Sequence, residues 1–343
     1  MLLSTIKPLA RIGIYVVILI IFVLLAEGIL RLRGEKPYVS QVLHVTFEPS
    51  FIFTPSNTYG YSLKPGIFRF TLGELDNLSF LPTHTIDSTR ATSEDLSSND
   101  HRPFICLFGA SYTYGVGVED SLTFGWRMQK NRPDLKVINY GVPGYGPIHA
   151  YLRLRSLIRK NNRPAFVILN YSFFHDNTNT LPRISRESIV RFSNLDNKEF
   201  IAKSNVPYFE TDGDSLLLKY IRYDSFYSEW PLRRSSALVN FLEVKYNQMD
   251  EKAHNSHTVS KGVILKIAKL CKENNISFAV AAITNHQLTQ EMLTFCSEND
   301  ILNLDISVNL ERGSKYRIHE SDSHPNGAAH LVYAERLLDL LRR

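Results

Sequence analysis

The sequence is poor in cysteine, with only Cys106, Cys271 and Cys296 in 343 residues. Three thiols so widely spaced form neither a disulfide framework nor a C-x-x-C metal site. Cys106 lies in a strand-like apolar run and the other two in helix-like runs, so all three read as small buried apolar side chains. Charge of one sign is also scarce. The net charge is +5, and Lys and Arg are scattered among Asp and Glu without a basic stripe, which argues against nucleic-acid binding. The histidines show no metal-ligand spacing, so neither a zinc nor a calcium site is expected. No cofactor motif, internal repeat or low-complexity tract stands out.

What is present is an ordinary globular composition, 44% apolar and 21% charged, which suits one large domain plus an appendage. The appendage is at the N-terminus. Nineteen residues between Arg11 and Arg31, "IGIYVVILIIFVLLAEGIL", carry a single charge, Glu27. As a helix they reach about 28 Å, the hydrocarbon thickness of a bilayer. Lys7 and Arg11 precede this block, which has no convincing small-x-small cleavage site, so residues 1–36 read as an uncleaved signal anchor; a cleaved signal peptide or a buried helix are the alternatives. Arg31, Arg33 and Lys36 nearly balance the basic residues on the other side, so charge does not set the orientation.

Residues 37–102 read as an extended lead-in, in which short aromatic runs are broken by Pro, Gly and Asn, ending in a polar surface loop. From Pro103 the pattern changes. Continuous apolar runs at 104–109, 136–141, 165–172 and 277–284, and a weaker one at 301–307, alternate with helical patterns at 121–131, 148–161, 259–274 and 286–299. Strands alternating with helices predict a parallel sheet covered on both faces, with sites at the carboxyl ends of the strands. A last helix starts at Gly327, with Ala328, Leu331, Val332, Leu337, Leu338 and Leu341 expected on its core face. Residues 178–257 break the rhythm and read as an insertion within 103–343.

Polar and glycine-rich stretches gather at the strand ends. The first strand runs into "GASYTYG", which would expose Ser111 at a strand-to-helix turn. The second ends in "NYGVPGYG" and the third in "NYSFFHDN", which contains His175, Asp176 and Asn177. "SDSHPN" then places Asp322 and His324 just ahead of the terminal helix. A serine hydroxyl needs a base to take its proton, and an acid must hold that histidine in the right tautomer. The order Ser, Asp, His is compatible with such a triad.

The ordered set "GAS" at 109–111, "NYGVPG" at 139–144, "HDN" at 175–177 and "DSHPN" at 322–326 resembles the SGNH or GDSL hydrolases, over roughly residues 103–175 and 258–341. More narrowly, "GASYTYGVGVEDSLTF" and "VINYGVPGYGPIHAYLRLR" look like membrane-anchored bacterial members related to polysaccharide O-acetylation proteins. The resemblance implies a flavodoxin-like three-layer α/β/α fold, with Ser111 as nucleophile, His324 as base, Asp322 as its partner and the amides of Ser111 and Gly144 in the oxyanion hole. Three departures accompany it. Ala110 replaces the usual Asp before the serine. His175 stands where the third-block Asn, an oxyanion donor in the family, is expected, with Asn177 two residues on, so these two are the candidates for that further oxyanion-hole donor. The last motif is D-x-H instead of D-x-x-H, which leaves Glu320 a rival to Asp322; His330 reads as a packed or capping histidine.

The resemblance further implies a serine-dependent esterase or O-acyltransferase for acetyl groups on a cell-envelope glycan, tethered to a bacterial inner membrane with its domain in the periplasm, with a membrane acyl-transfer protein as a candidate partner. A lipid esterase or thioesterase, and an inactive envelope scaffold or glycan-binding protein, are the other readings. No metal or cofactor enters any of them.

Overall fold

The computed structural model describes residues 8–40, 45–73, 75–76, 78–96, 102–193, 204–213, 215–222 and 227–342; Lys7 lies outside them, as do parts of 82–102 and of 178–257. The chain divides into two units, one formed by the described residues of 1–42 and 228–253, the other by those of 43–227 and 254–343.

The first unit contains helix α1 (Pro8–Leu32), which is long and apolar enough to cross a membrane. The second unit holds the sheet. Its strands are β1 (Phe104–Gly109), β2 (Lys136–Gly141), β3 (Phe166–Tyr171), β4 (Ser277–Ala282) and β5 (Leu302–Asp305), all parallel and ordered β5-β4-β3-β1-β2. This is the flavodoxin-like order, and its direction reverses between β1 and β3, where a ligand crevice forms in such sheets. Ser111 follows β1 and His175 follows β3.

The helices that matter are α2 (Ser111–Tyr114), α3 (Phe124–Asn131), α4 (Pro147–Arg159), α5 (Ala237–Ala253, in the first unit), α6 (Ser256–Glu273), α7 (Gln287–Glu298) and α8 (Gly327–Leu340). Alternation along β1 shows why there are three layers. Ile105 and Leu107 pack with Phe124, Met128, Tyr333 and Leu337 from α3 and α8. Cys106 and Phe108 face the other way, into a core with Ile148, Leu154, Val263, Ile267 and Met292 from α4, α6 and α7. The strands are therefore apolar on both faces, as a covered parallel sheet requires. All three cysteines are buried and unpaired.

The face of α8 differs from the expected one. Ala328 and Leu331 are exposed, and the core side is made by Ala329, His330, Tyr333, Ala334, Leu337, Leu338 and Leu340. His330 and Tyr333 can sit inward because Phe124 offers both an aromatic ring and a backbone N–H, which His330 Nδ1 accepts at 3.2 Å.

Residues 45–96 form antiparallel hairpins whose Ile52, Phe53, Leu63, Phe68, Phe70 and Phe80 join the core on the α4 side. Among them Arg90 is 1% exposed. Its guanidinium pairs with Asp120 and donates to the carbonyls of Tyr114, Gly115 and Val118, between the rings of Phe80 and Tyr114. One buried cation thus organises the loop that follows α2. Removing its counterion leaves an uncompensated buried charge, so Asp120→Ala is expected to lose about 3–5 kcal/mol of unfolding free energy in urea titration. A loss below about 1 kcal/mol would place the Arg90 charge in contact with water.

Candidate functional site

The turn that carries Ser111 is built by close backbone packing. β1 ends at Gly109, and α2 begins directly at Ser111 and closes at Gly115, whose N–H donates to Ser111 O at 2.9 Å. Asn139, fully buried near the end of β2, donates from Nδ2 to Thr113 O (2.8 Å) and accepts from Gly141 N–H (2.9 Å), tying α2 to the second strand. A side chain at Gly141 would start 2.4 Å from the Tyr114 nitrogen, so only glycine lets the two segments approach this closely.

The loop after β2 turns at Gly144, which has φ +81 and no room for a Cβ, the Tyr61 phenol oxygen lying 2.4 Å from that position. The same Tyr61 hydroxyl donates to Pro143 O at 2.7 Å, so a hairpin far back in the chain braces this turn. Ser111 N–H is the first of a helix and has no intrahelical acceptor, and Gly144 N–H makes no hydrogen bond among the described residues. Both amides remain available to a ligand.

The tail reaches this region through a short hairpin, Arg317–His319 with Asp322–Pro325. Asp322 Oδ1 meets His324 Nδ1 at 2.6 Å and also accepts the His324 backbone N–H at 2.8 Å. The D-x-H spacing therefore does reach the Nδ1 side of the ring, leaving Nε2 clear. Glu320 is not the partner: its carboxylate accepts Gly313 N–H. Burial alone would push the Asp322 carboxyl up, but the hydrogen bond and charge of His324, with Arg317 nearby, hold it below the usual aspartate range. It is an anion at neutral pH, the state that fixes a proton on Nδ1.

Tyr112 joins these parts. Its hydroxyl donates to Ser323 O at 3.0 Å, while its ring lies 5.2 Å from the His324 ring and 5.5 Å from that of Phe174, which is on the loop after β3. The segments carrying Ser111, His324 and His175 are thereby gathered around one phenol. Among the described residues, no hydrogen bond joins Ser111 Oγ to His324.

His175 ends a short 3-10 turn and is 3% exposed. Burial lowers its pKa to about 3, so the imidazole is neutral. Nδ1 accepts Ser172 N–H at 3.3 Å, which places the proton on Nε2, and that buried atom has no partner. Asn177 starts the next helical turn and its carbonyl accepts Leu181 N–H. Between them Asp176 is buried, accepting from Tyr171 OH at 2.6 Å and pairing with His257 Nδ1 at 2.8 Å, an anchor for the loop. His330 is packed, as described above.

Sequence reasoning passed over Arg90, Asn139 as a brace, Tyr112 and Tyr61. Asn139 and Tyr112 stood inside the quoted motifs; Arg90 and Tyr61 carried no local signal. No group of three or more His, Cys, Asp or Glu able to hold a metal occurs among the described residues.

No family model matches the chain, and no curated protein does. Solved structures to which it is similar include a lipolytic protein of the G-D-S-L family from Veillonella parvula (11% identity over 70% of this chain and 98% of that one, TM-score 0.38). Others are the esterase EstA from Pseudoalteromonas sp., inhibited by monoethylphosphonate (11%, 70% and 97%, TM-score 0.40), and the acetyl xylan esterase AlAXEase (13%, 69% and 98%, TM-score 0.39).

Proposed function

We propose that the protein is a serine-dependent esterase or O-acyltransferase. The observation that carries this reading is the Asp322–His324 hydrogen bond on Nδ1, which leaves Nε2 as a base on a strand tied to the Ser111 turn through Tyr112. In the reaction, Ser111 Oγ attacks an ester carbonyl while His324 Nε2 takes the hydroxyl proton. The tetrahedral oxyanion is met by the amides of Ser111 and Gly144. Each such donor contributes about 3 kcal/mol of transition-state stabilisation. His324 then gives its proton to the leaving alkoxide, and an acyl-Ser111 ester remains. Water or a sugar hydroxyl, deprotonated by the same His324, releases the acyl group. Hydrolase and transferase differ only in this last acceptor.

The polypeptide fits a role at an envelope, with α1 as a single-pass anchor in a bacterial inner membrane and the sheet-bearing unit in the periplasm. An acetylated glycan is the substrate class this reading favours, with a membrane acyl-transfer partner as a source of acyl groups. The unmade Ser111–His324 hydrogen bond favours a second reading, an inactive envelope scaffold, although catalytic bonds in an unliganded site often tighten only with substrate. A fluorophosphonate probe separates the two: intact-mass labelling of the wild type but not of Ser111→Ala supports an activated serine, whereas a folded, unlabelled wild type sinks the esterase reading.

A further inference from the structure

Glu27 lies inside α1, a helix whose side chains from Ile12 to Leu25 are otherwise apolar and exposed. In the first unit its carboxylate accepts from Ser236 Oγ (2.7 Å), Ala237 N–H (2.9 Å), Leu238 N–H (2.8 Å) and Arg31 Nε (2.6 Å). Arg31 in turn donates to Ser235 O at 2.9 Å. The first turn of α5 is therefore latched to the side of α1 at residues 27–31. Glu27 stands five residues before the end of α1, which at the helical rise places this latch about 7 Å below that end.

The segment held there exposes several large apolar side chains, interspersed with Arg234, Ser235, Lys245 and Gln248. Leu232 is 71% exposed and has φ +67, a strained conformation for a leucine. Leu238, Leu242, Tyr246 and Met249 follow at helical spacing along α5, the last three exposed. Trp230 packs on Tyr246 at 5.5 Å, and Arg234, itself largely exposed, holds the Glu229 carboxylate through Nε (2.7 Å) and Nη2 (2.8 Å). Leucine, tryptophan, tyrosine and arginine together are the composition of a bilayer interface. The latch also removes the usual obstacle to such a location, because the unpaired N–H groups of a helix start are costly in lipid, and Glu27 with Ser236 satisfies them.

We infer that the Pro231–Leu232 turn and the outer face of α5 lie in the headgroup and upper acyl region of the membrane that α1 spans, as a second, shallow contact with lipid. This inference rests on the reading of α1 as a membrane anchor. The occupant is the bilayer itself, because α1 carries the latch into it by covalent connection.

The test is site-directed spin labelling of the full chain in phosphatidylethanolamine–phosphatidylglycerol vesicles. The three native cysteines are buried, so labels go to introduced ones. Leu232→Cys and Leu242→Cys report on the inference, Leu19→Cys on α1 and Leu302→Cys, on the edge strand β5, on water. The expected ratio of oxygen to nickel-chelate accessibility at 232 and 242 is about threefold or more above that at 302, and below that at 19. If 232 and 242 match 302 while 19 reads as deep, the inference is overturned and the anchor stands. If both collision rates at 232 and 242 are low, a protein surface such as a second copy covers the face, and the lipid assignment is overturned. If 19 also reads as aqueous, the anchor fails and the inference goes with it.

Discussion

Ser111→Ala is expected to lower ester turnover by about four orders of magnitude or more while leaving the fold and its melting temperature nearly unchanged. At 1.36 kcal/mol per tenfold, the loss corresponds to about 5 kcal/mol of transition-state stabilisation. The side chain is only partly buried and its hydroxyl makes no hydrogen bond among the described residues, so truncation creates no buried cavity and strands no partner. Asp322→Asn should lower the rate by about three to four orders as well, for a different reason. An amide can present its NH₂ to Nδ1 and so favour the tautomer that blocks Nε2 as a base. Initial rates on an activated acetyl ester, with the two variants checked by circular dichroism, decide this. Retention of more than about a tenth of the activity in both variants would remove Ser111 and Asp322 from the reaction.

Acid should unfold the sheet-bearing unit steeply, well above the pH at which carboxylates protonate. His84, His149, His175 and His330 are buried, and burial is the main cause that lowers each to about 3 from the ordinary value of 6.5, with the Arg90 charge adding at His84 and His330. In three of them Nδ1 accepts a backbone N–H, from Gly146, Ser172 and Phe124 respectively, a bond that a second proton would break. Folded, the four imidazoles stay neutral down to about pH 3. Unfolded, they take up protons below about pH 6.5. The unfolded chain therefore binds more protons across that window, so stability is complete above it and falls as the pH drops through it. The slope is about 1.4 kcal/mol per pH unit for each group, or about 5 for four, against total stabilities of about 5–15 kcal/mol. Calorimetric unfolding in two buffers of different ionisation enthalpy at pH 5 should report an uptake of about four protons. An uptake below about two would show that these imidazoles are already charged or solvated in the folded state.

The α/β alternation was legible because it is written locally. The runs "FICLFG", "KVINYG" and "SFAVAAIT" are largely apolar since both faces of each strand are covered, and the observed strands start and stop within about two residues of them. The turn at Ser111 and the Asp322–Ser323–His324 cluster were legible only as an ordered set, because Ser and Asp are also common cap and turn residues. The periodicity of the last helix marked an apolar stripe but not its centre. Ala328 and Leu331 proved exposed, because the contact with Phe124 draws His330 and Tyr333 inward.

By itself, then, the sequence determined the layered parallel sheet, the order of the strand-end motifs and the apolar N-terminal helix, all properties that reside in contiguous residues and their spacing. Only the tertiary structure decided which acid pairs with His324, since Asp322 and Glu320 both stand within a few residues of it and the hairpin turns only Asp322 onto the ring. It also decided that a Ser/Thr-rich stretch should bury Arg90, whose partners are Asp120 and three carbonyls more than twenty residues away, and that His175 should keep a protonated, unpartnered Nε2. The burial of a charge or of a lone donor depends on groups distant in the chain and close in space, which no local pattern records.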